Sequence, residues 1–349
     1  MKKKIKIAQI GTGHDHACSA FLTLKNSKEF EMVGYCEVPD DEKGYECVKE
    51  HDALYAHYYD GAKKLTLEEI FAIPDLDAVA IETFDLNLVK YAKMAAERGL
   101  HIYMDKAPGE SAKEFEELLS IIKAKNLAFS IGYMYRFNPL LKKVFASVKS
   151  GEIGAVNSVD SEMSCFMDHK KRLWLEQFKG GMMQFLGCHL VDMVIRLCGV
   201  PDEILPFNYA SCDKGIDTLD VAYALFKYPN ALATIKSSMI DCGGYVRRHL
   251  TISGSKNTID VRPLEKFESE PSNISTSMRK YGFEKGWHDL GEFYSSGTFD
   301  RYEDMLTAFA NMVRGERGYE VDLELEARIH RCLLTASGIE CDYKGEIKL

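Results

Sequence analysis

A chain of 349 residues, 46% hydrophobic and 28% charged, carries enough apolar material for two domains with separate cores. Its net charge of −9 argues against a nucleic-acid partner, because the only marked basic runs are Lys2 to Lys4 and Lys170 to Arg172. No apolar run is long enough to cross a bilayer, no signal-peptide h-region follows the first lysines, and the ten scattered cysteines form no C-x-x-C pair, so a cytoplasmic protein with reduced thiols is expected.

Ile5, Ile7, Ala8 and Ile10 predict a strand buried on both faces. Gly11 and Gly13 break it, and Ala17, Ala20, Phe21 and Leu24 resume at helical spacing. Such a strand, glycine turn and helix expose backbone N–H groups and a partial positive charge to a pyrophosphate, so a dinucleotide is the expected ligand. The third small residue of G-x-G-x-x-G/A falls at His16, with Ala17 one position late. A second strand is expected over Phe30 to Cys36. Glu37 follows it, 24 residues after Gly13, where a carboxylate would accept from the ribose hydroxyls. No Arg lies between Val38 and Glu46 to neutralise a 2′-phosphate, which favours NAD over NADP.

Alternating strands and helices continue: a capping box at Thr66 and Glu69, a strand over Leu76 to Thr83, a helix from Asn87 to Arg98, a strand from His101 to Met104, a helix capped by Ser111 and a strand from Ala128 to Gly132. A parallel sheet covered on both faces follows, and its ligands bind outside the carboxyl ends of the strands. Gly11 to Gly13, Glu37, Thr83 and Asp105 to Pro108 converge on that edge. Lys106 is the chemical candidate there. Desolvation and a nearby oxidised nicotinamide would disfavour its ammonium form and let it orient a substrate hydroxyl and handle its proton.

Beyond Gly132 the runs AVNSVDSEMSCF, LDVAYALFKY, ALATIKSSMI and HLTISGSKNTIDV predict a largely antiparallel sheet with helices on one face. A helix is expected from Met182 to Leu197, where His189 and Asp192 share a face and Asp192 could orient the imidazole. Trp174, within KRLWLEQF, reads either as a sugar-stacking platform or as a core ring. Pro263 to Trp287 reads as a polar loop. Asp322 to Ser337 reads as a helix. No metal is expected, since neither His14-Asp15-His16 nor the Cys188, His189 and Asp192 group has a second element at ligand spacing.

The chain resembles the Gfo/Idh/MocA family over nearly its whole length. Asp105 to Pro108 (DKAP) stands for the family's E-K-P, with one residue inserted, and Tyr135 to Pro139 is its Y-R-F-N-P. A G-x-I-G follows at Gly151 to Gly154, and KGGMMQFLGCHLVD matches a glycine-rich segment at Gly180, Gly181, Gly187, His189 and Asp192. The resemblance implies an N-terminal Rossmann domain, 1–124, and an α+β substrate and oligomerisation domain, 125–349, whose last helix packs near the domain junction. It implies a cofactor set of Gly11, Thr12, Gly13, His14, His16, Glu37, Thr83, Asp105 and Lys106. It also implies a substrate set of Tyr135, Trp174, Gln184, Phe185 and His189, with Lys106 and His189 catalytic. Two departures stand out: Phe185 replaces an acid one helical turn before the histidine, and Thr83 to Leu88 keeps only the threonine of T-P-N-x-x-H.

The expected function is hydride transfer between NAD, or less favourably NADP, and a secondary alcohol of a sugar or cyclitol, in a homodimer or homotetramer without a membrane partner. A non-catalytic sugar-sensing regulator and a redox-neutral NAD-dependent bond cleavage are the alternatives.

Overall fold

The structure is a computed structural model that describes residues 3–39, 41, 54–269, 272–318 and 320–349. Residues 40 and 42–46 of the stretch used above to favour NAD lie outside the described residues, as does Cys47. Two compact units form: the chain to Tyr133 with Tyr302–His330 and Lys344–Leu349, and Met134–Arg301 with Arg331–Tyr343. The division thus falls after Tyr133 rather than after residue 124, and neither unit is one continuous segment.

In the first unit, β1 (Ile5–Ile10), β2 (Phe30–Cys36), β3 (Ala78–Ile81), β4 (His101–Met104) and β5 (Phe129–Ile131) form a parallel sheet in the order β2-β1-β3-β4-β5. Every residue of β3 is buried, as both-face coverage requires. The covering helices are α1 (Ala17–Asn26), α2 (Leu67–Phe71), α3 (Leu88–Glu97) and α4 (Ala112–Ala124). Thr66 and Glu69 close their capping box on α2, and the Ser111 hydroxyl accepts from Glu114 N at the start of α4. Because β5 pairs with β4, it belongs to this sheet, which is why the unit extends beyond residue 124.

The returning segment adds α8 (Glu303–Val313), numbered after the helices of the second unit below. Its Phe309 ring stacks on Phe30 at 6.2 Å, and Arg314 pairs with Glu29 at 2.6 Å. His330, on the last helix (α9, Leu323–Ala336), lies 3.1 Å from the Gly109 carbonyl through Nε2 and edge-on to Phe115. Burial lowers its pKa to about 4. The unfolded chain therefore binds this proton first as pH falls from about 6.5 to about 4, and stability is lost through that window, by on the order of 3 kcal/mol when complete. Urea midpoints measured across it should fall in the native protein and fall less in His330→Gln; equal slopes would refute the assignment.

In the second unit, eight strands order as β15-β14-β11-β10-β6-β9-β8-β7. They are β6 (Val156–Glu162), β7 (Glu203–Pro206), β8 (Val221–Lys227), β9 (Leu232–Ser238), β10 (His249–Gly254), β11 (Asn257–Val261), β14 (Ser277–Gly282) and β15 (Glu292–Ser295). Only β6 with β9 is parallel among these pairs. The helices are α5 (Pro139–Lys149), α6 (His169–Trp174) and α7 (Cys188–Cys198), the last preceded by a π-helical turn, Met183–Gly187. Pro263 to Trp287 is not the polar loop expected. It contains β12 (Lys266–Ser269), β13 (Asn273–Ser275) and β14, and β12 and β13 join β16 (Phe299–Asp300) in a small sheet. All four β12 residues are exposed, so no apolar alternation marks it. No described helix is long and apolar enough to cross a membrane, and none of the nine described cysteines is in a disulfide.

Candidate functional site

The carboxyl edge of the parallel sheet gathers the first group of candidates. Gly11 has φ +88°, and a Cβ there would meet the Thr83 Cγ2 at 2.5 Å, so the turn after β1 presses directly on the residue that ends β3. At Gly13 a Cβ would lie 2.7 Å from Asp41 Cγ. The reason is a carboxylate seated on the turn: Asp41 accepts from Thr12 N at 3.3 Å, Gly13 N at 3.2 Å and Phe84 N at 2.6 Å. These amides therefore hold an oxyanion, the Asp41 carboxylate. Asp41 lies 28 positions from Gly13 in the chain, and no local pattern in the sequence marks it.

Glu37 directly follows β2 with its side chain 59% exposed, and pairs at 2.8 Å with Lys64. The isolated bridge between Tyr35 and Lys64 brings this cation alongside. Lys64 lies beyond the stretch from Val38 to Glu46, so that stretch carries no sign of it.

Deeper on the edge lies a buried acid–base cluster. His16 Nδ1 is 3.1 Å from Asp105 Oδ2, and His14 Nδ1 is 3.4 Å from the same oxygen. His14 Nε2 lies 3.0 Å from the Lys106 carbonyl and 3.4 Å from Asp85 Oδ1. Since a carbonyl only accepts, Nε2 carries a proton. Burial disfavours the His14 cation, but Asp105 and Asp85 outweigh it and raise its pKa to about 9. For His16 burial wins over Asp105, and its pKa falls to about 4. Burial would raise Asp105, yet His14, His16 and Lys106 hold it well below the usual carboxylate range. Burial and the Asp105 charge push Glu82 well above its usual value. Glu82 was not among the expected site residues, because it closes an apolar run, AVAIE, and reads there as a strand end.

Lys106 is 1% exposed at the carboxyl end of β4, and its N–H donates to Asp105 Oδ1 at 2.6 Å. An amine held there, beside the glycine turn and out of bulk water, is placed for proton handling.

The second unit carries the other candidates. The His189 ring meets Tyr135 edge-on at 5.0 Å, and both are buried. Burial and the Glu265 carboxylate hold the Tyr135 phenol well above its usual pKa. Asp192 serves two arginines: its oxygens accept from Arg136 Nη2 at 2.7 Å and Nε at 3.0 Å, and from Arg196 Nε at 2.9 Å. Arg136 thus pairs inside the second unit. Trp174 is 2% exposed, so the open stacking platform is corrected to a core ring. It packs on Phe178 at 4.9 Å and Phe185 at 5.2 Å, with Lys171 Nζ 3.5 Å over its face. Phe185, where the resemblance places an acid, is part of this aromatic cluster. Gln184 is buried beside Gly180, whose Cβ would meet Gln184 Oε1 at 2.8 Å.

A parallel sheet with a glycine turn and strand-end lysine, joined to a large mixed sheet backed by helices, defines the two-unit class to which this protein belongs. Residues 141–260 match the GFO/IDH/MocA C-terminal domain. It is 29% identical over 153 residues to D-xylose 1-dehydrogenase (NADP(+)) 2 of Haloferax volcanii, a match covering 43% of this chain and 47% of that protein. The chain spans about half the length of the first curated relatives it matches. Two solved structures share its fold. The KijD10 3-ketoreductase of Actinomadura kijaniata, in complex with NADP and TDP-benzene, has a TM-score of 0.75 at 15% identity, over 97% of each chain. UDP-N-acetylglucosamine 3-dehydrogenase GnnA of Acidithiobacillus ferrooxidans has 0.72 at 17%, over 97% of this chain and 98% of that one.

Proposed function

We propose that this protein is a nicotinamide-dependent oxidoreductase acting on a secondary alcohol, or the matching ketone, of a sugar, cyclitol or sugar derivative. The observation that carries the reading is Lys106, buried at the end of β4 on the edge that also holds the glycine turn. The relatives support it: a xylose dehydrogenase, a UDP-N-acetylglucosamine dehydrogenase and a 3-ketoreductase.

The residues fit a dinucleotide, since the Thr12 and Gly13 amides already hold a carboxylate and Glu37 stands exposed at the end of β2. A bound nicotinamide would accept or return the hydride. Thr12 and Gly13 N–H groups would hold a phosphate oxygen, and Glu37 the ribose. Lys106 Nζ would hydrogen-bond the substrate hydroxyl, orient its carbon and take or return the hydroxyl proton. His189 and Tyr135 are the second unit's candidates for substrate contact. NAD is favoured because Glu37 repels a 2′-phosphate, although Lys64 beside it offsets part of that repulsion. Self-association is part of the proposal, and a monomer at all concentrations in sedimentation equilibrium would refute it.

The test is a panel of sugars and polyols with NAD or NADP, followed by reduced-cofactor absorbance. Steady release of reduced cofactor is expected. Tight cofactor binding without turnover would replace this reading by a regulator, and bond cleavage without net reduced cofactor by redox-neutral chemistry.

A phosphate must displace Asp41 from the turn. Asp41→Ala is therefore expected to tighten NADH binding about tenfold, the worth of one charge-assisted hydrogen-bond set. A fluorescence titration reads it; weaker binding would mean that Asp41 instead holds the turn in shape.

A further inference from the structure

Two histidines and a carboxylate from separate elements come together where sequence spacing alone pointed to no metal. His14 and His16 stand in the turn and at the start of α1, while Asp105 arrives from the end of β4. One ligand atom of each lies within 4.8 Å of the others. The closest separations, 3.1 and 3.4 Å, compare with about 3.3 Å between ligands in a tetrahedral zinc site. The His14 Nε2–H is held by the Lys106 carbonyl, while Nδ1, 3.4 Å from Asp105, accepts from the His16 N–H at 3.1 Å, a bond that a metal at Nδ1 would replace. That backing of the far ring nitrogen is usual for metal-bound imidazole.

Glu82 supplies an independent indication. It is 0% exposed, and neither carboxyl oxygen receives a hydrogen bond from an N–H or O–H donor. Oε2 is 3.9 Å from His14 Nδ1, on the cluster. A buried carboxyl group without a donor is costly unless a proton or a cation completes it.

We propose that His14, His16, Asp105 and Glu82 bind a divalent transition-metal ion of the zinc class at the carboxyl ends of β1, β3 and β4. Two imidazoles with two carboxylates suit zinc or cobalt and argue against calcium and magnesium, which take oxygen ligands. The site requires no bound dinucleotide, so its test stands apart from the proposed activity.

The test uses the full chain, stripped with a chelator, dialysed and titrated with Co2+ by calorimetry and visible spectroscopy. One equivalent is expected, with the d–d absorption of a low-coordinate nitrogen and oxygen site, displaced by Zn2+. His16→Asn and Glu82→Gln, each with native circular dichroism, should weaken binding by at least about tenfold. Absence of saturable binding overturns the proposal. So does a near-ultraviolet thiolate charge-transfer band, which would assign the ion to cysteines, or unchanged affinity in both variants. Should His16→Asn fail to fold, the native spectrum and Glu82→Gln decide the question.

Discussion

Lys106→Met is expected to lower kcat on a responsive sugar alcohol by about 10²- to 10⁴-fold, the usual worth of a positioned proton-transfer group. The dissociation constant for NADH should stay within about threefold, because the groups proposed to hold the dinucleotide are the Thr12 and Gly13 amides and Glu37. Methionine is the informative replacement. Lys106 is 1% exposed, and truncation to alanine would open a cavity costing about 2–5 kcal/mol, confusing lost chemistry with lost packing. The substitution also removes a cation that helps to hold Asp105 ionised and Glu82 from rising further, so both carboxyls should gain protons more readily. Direct transfer by the amine predicts loss of rate at every pH. If Lys106 acted only through those carboxylates, raising the pH would restore the rate, and the pH profile of kcat separates the two. Loss of cofactor binding with chemistry preserved would reverse the assigned roles.

The sequence was most readable where structure is made locally. Ile5 to Leu24 announces strand, turn and helix because apolar periodicity, two glycines and a change of spacing all fall within one stretch. The caps at Thr66 and Ser111 were legible for the same reason. What remained hidden depends on residues brought from afar. Asp41 reaches the glycine turn from beyond β2, Lys64 reaches Glu37 from before α2, and Glu82 looks like the polar end of a strand until Asp105 and His14 surround it. The strands within Pro263 to Trp287 escaped because solvent faces β12 throughout, so alternation carries no signal. Asp192 shows what spacing leaves open: it puts the residue one turn from His189 but says nothing of Arg136, which reaches the same carboxylate from 56 positions away.

That pairing makes Asp192→Ala a stability variant. The Asp192 side chain is 1% exposed, and its oxygens serve Arg136 and Arg196, whose side chains are 14% and 24% exposed. Removing it deprives two guanidinium groups of this carboxylate in a largely desolvated place. Breaking such a buried pair costs about 3–5 kcal/mol, and the residual solvent access of the arginines places the expected loss near 3. At about 2–4 °C per kcal/mol, the melting temperature should fall by roughly 6–12 °C. Burial would raise the Asp192 carboxyl, but Arg136 and then Arg196 outweigh it and hold it below its usual range. Its contribution is therefore complete above the unfolded carboxyl's pKa and is lost as pH falls through the lower folded value. The gap in stability between native and variant proteins should accordingly narrow in strong acid. Adding Arg136→Met to Asp192→Ala should cost less than the sum of the single changes, since one of the cations deprived of this carboxylate is removed. A variant that melts with the native protein but turns over slowly would instead return Asp192 to the role of orienting His189.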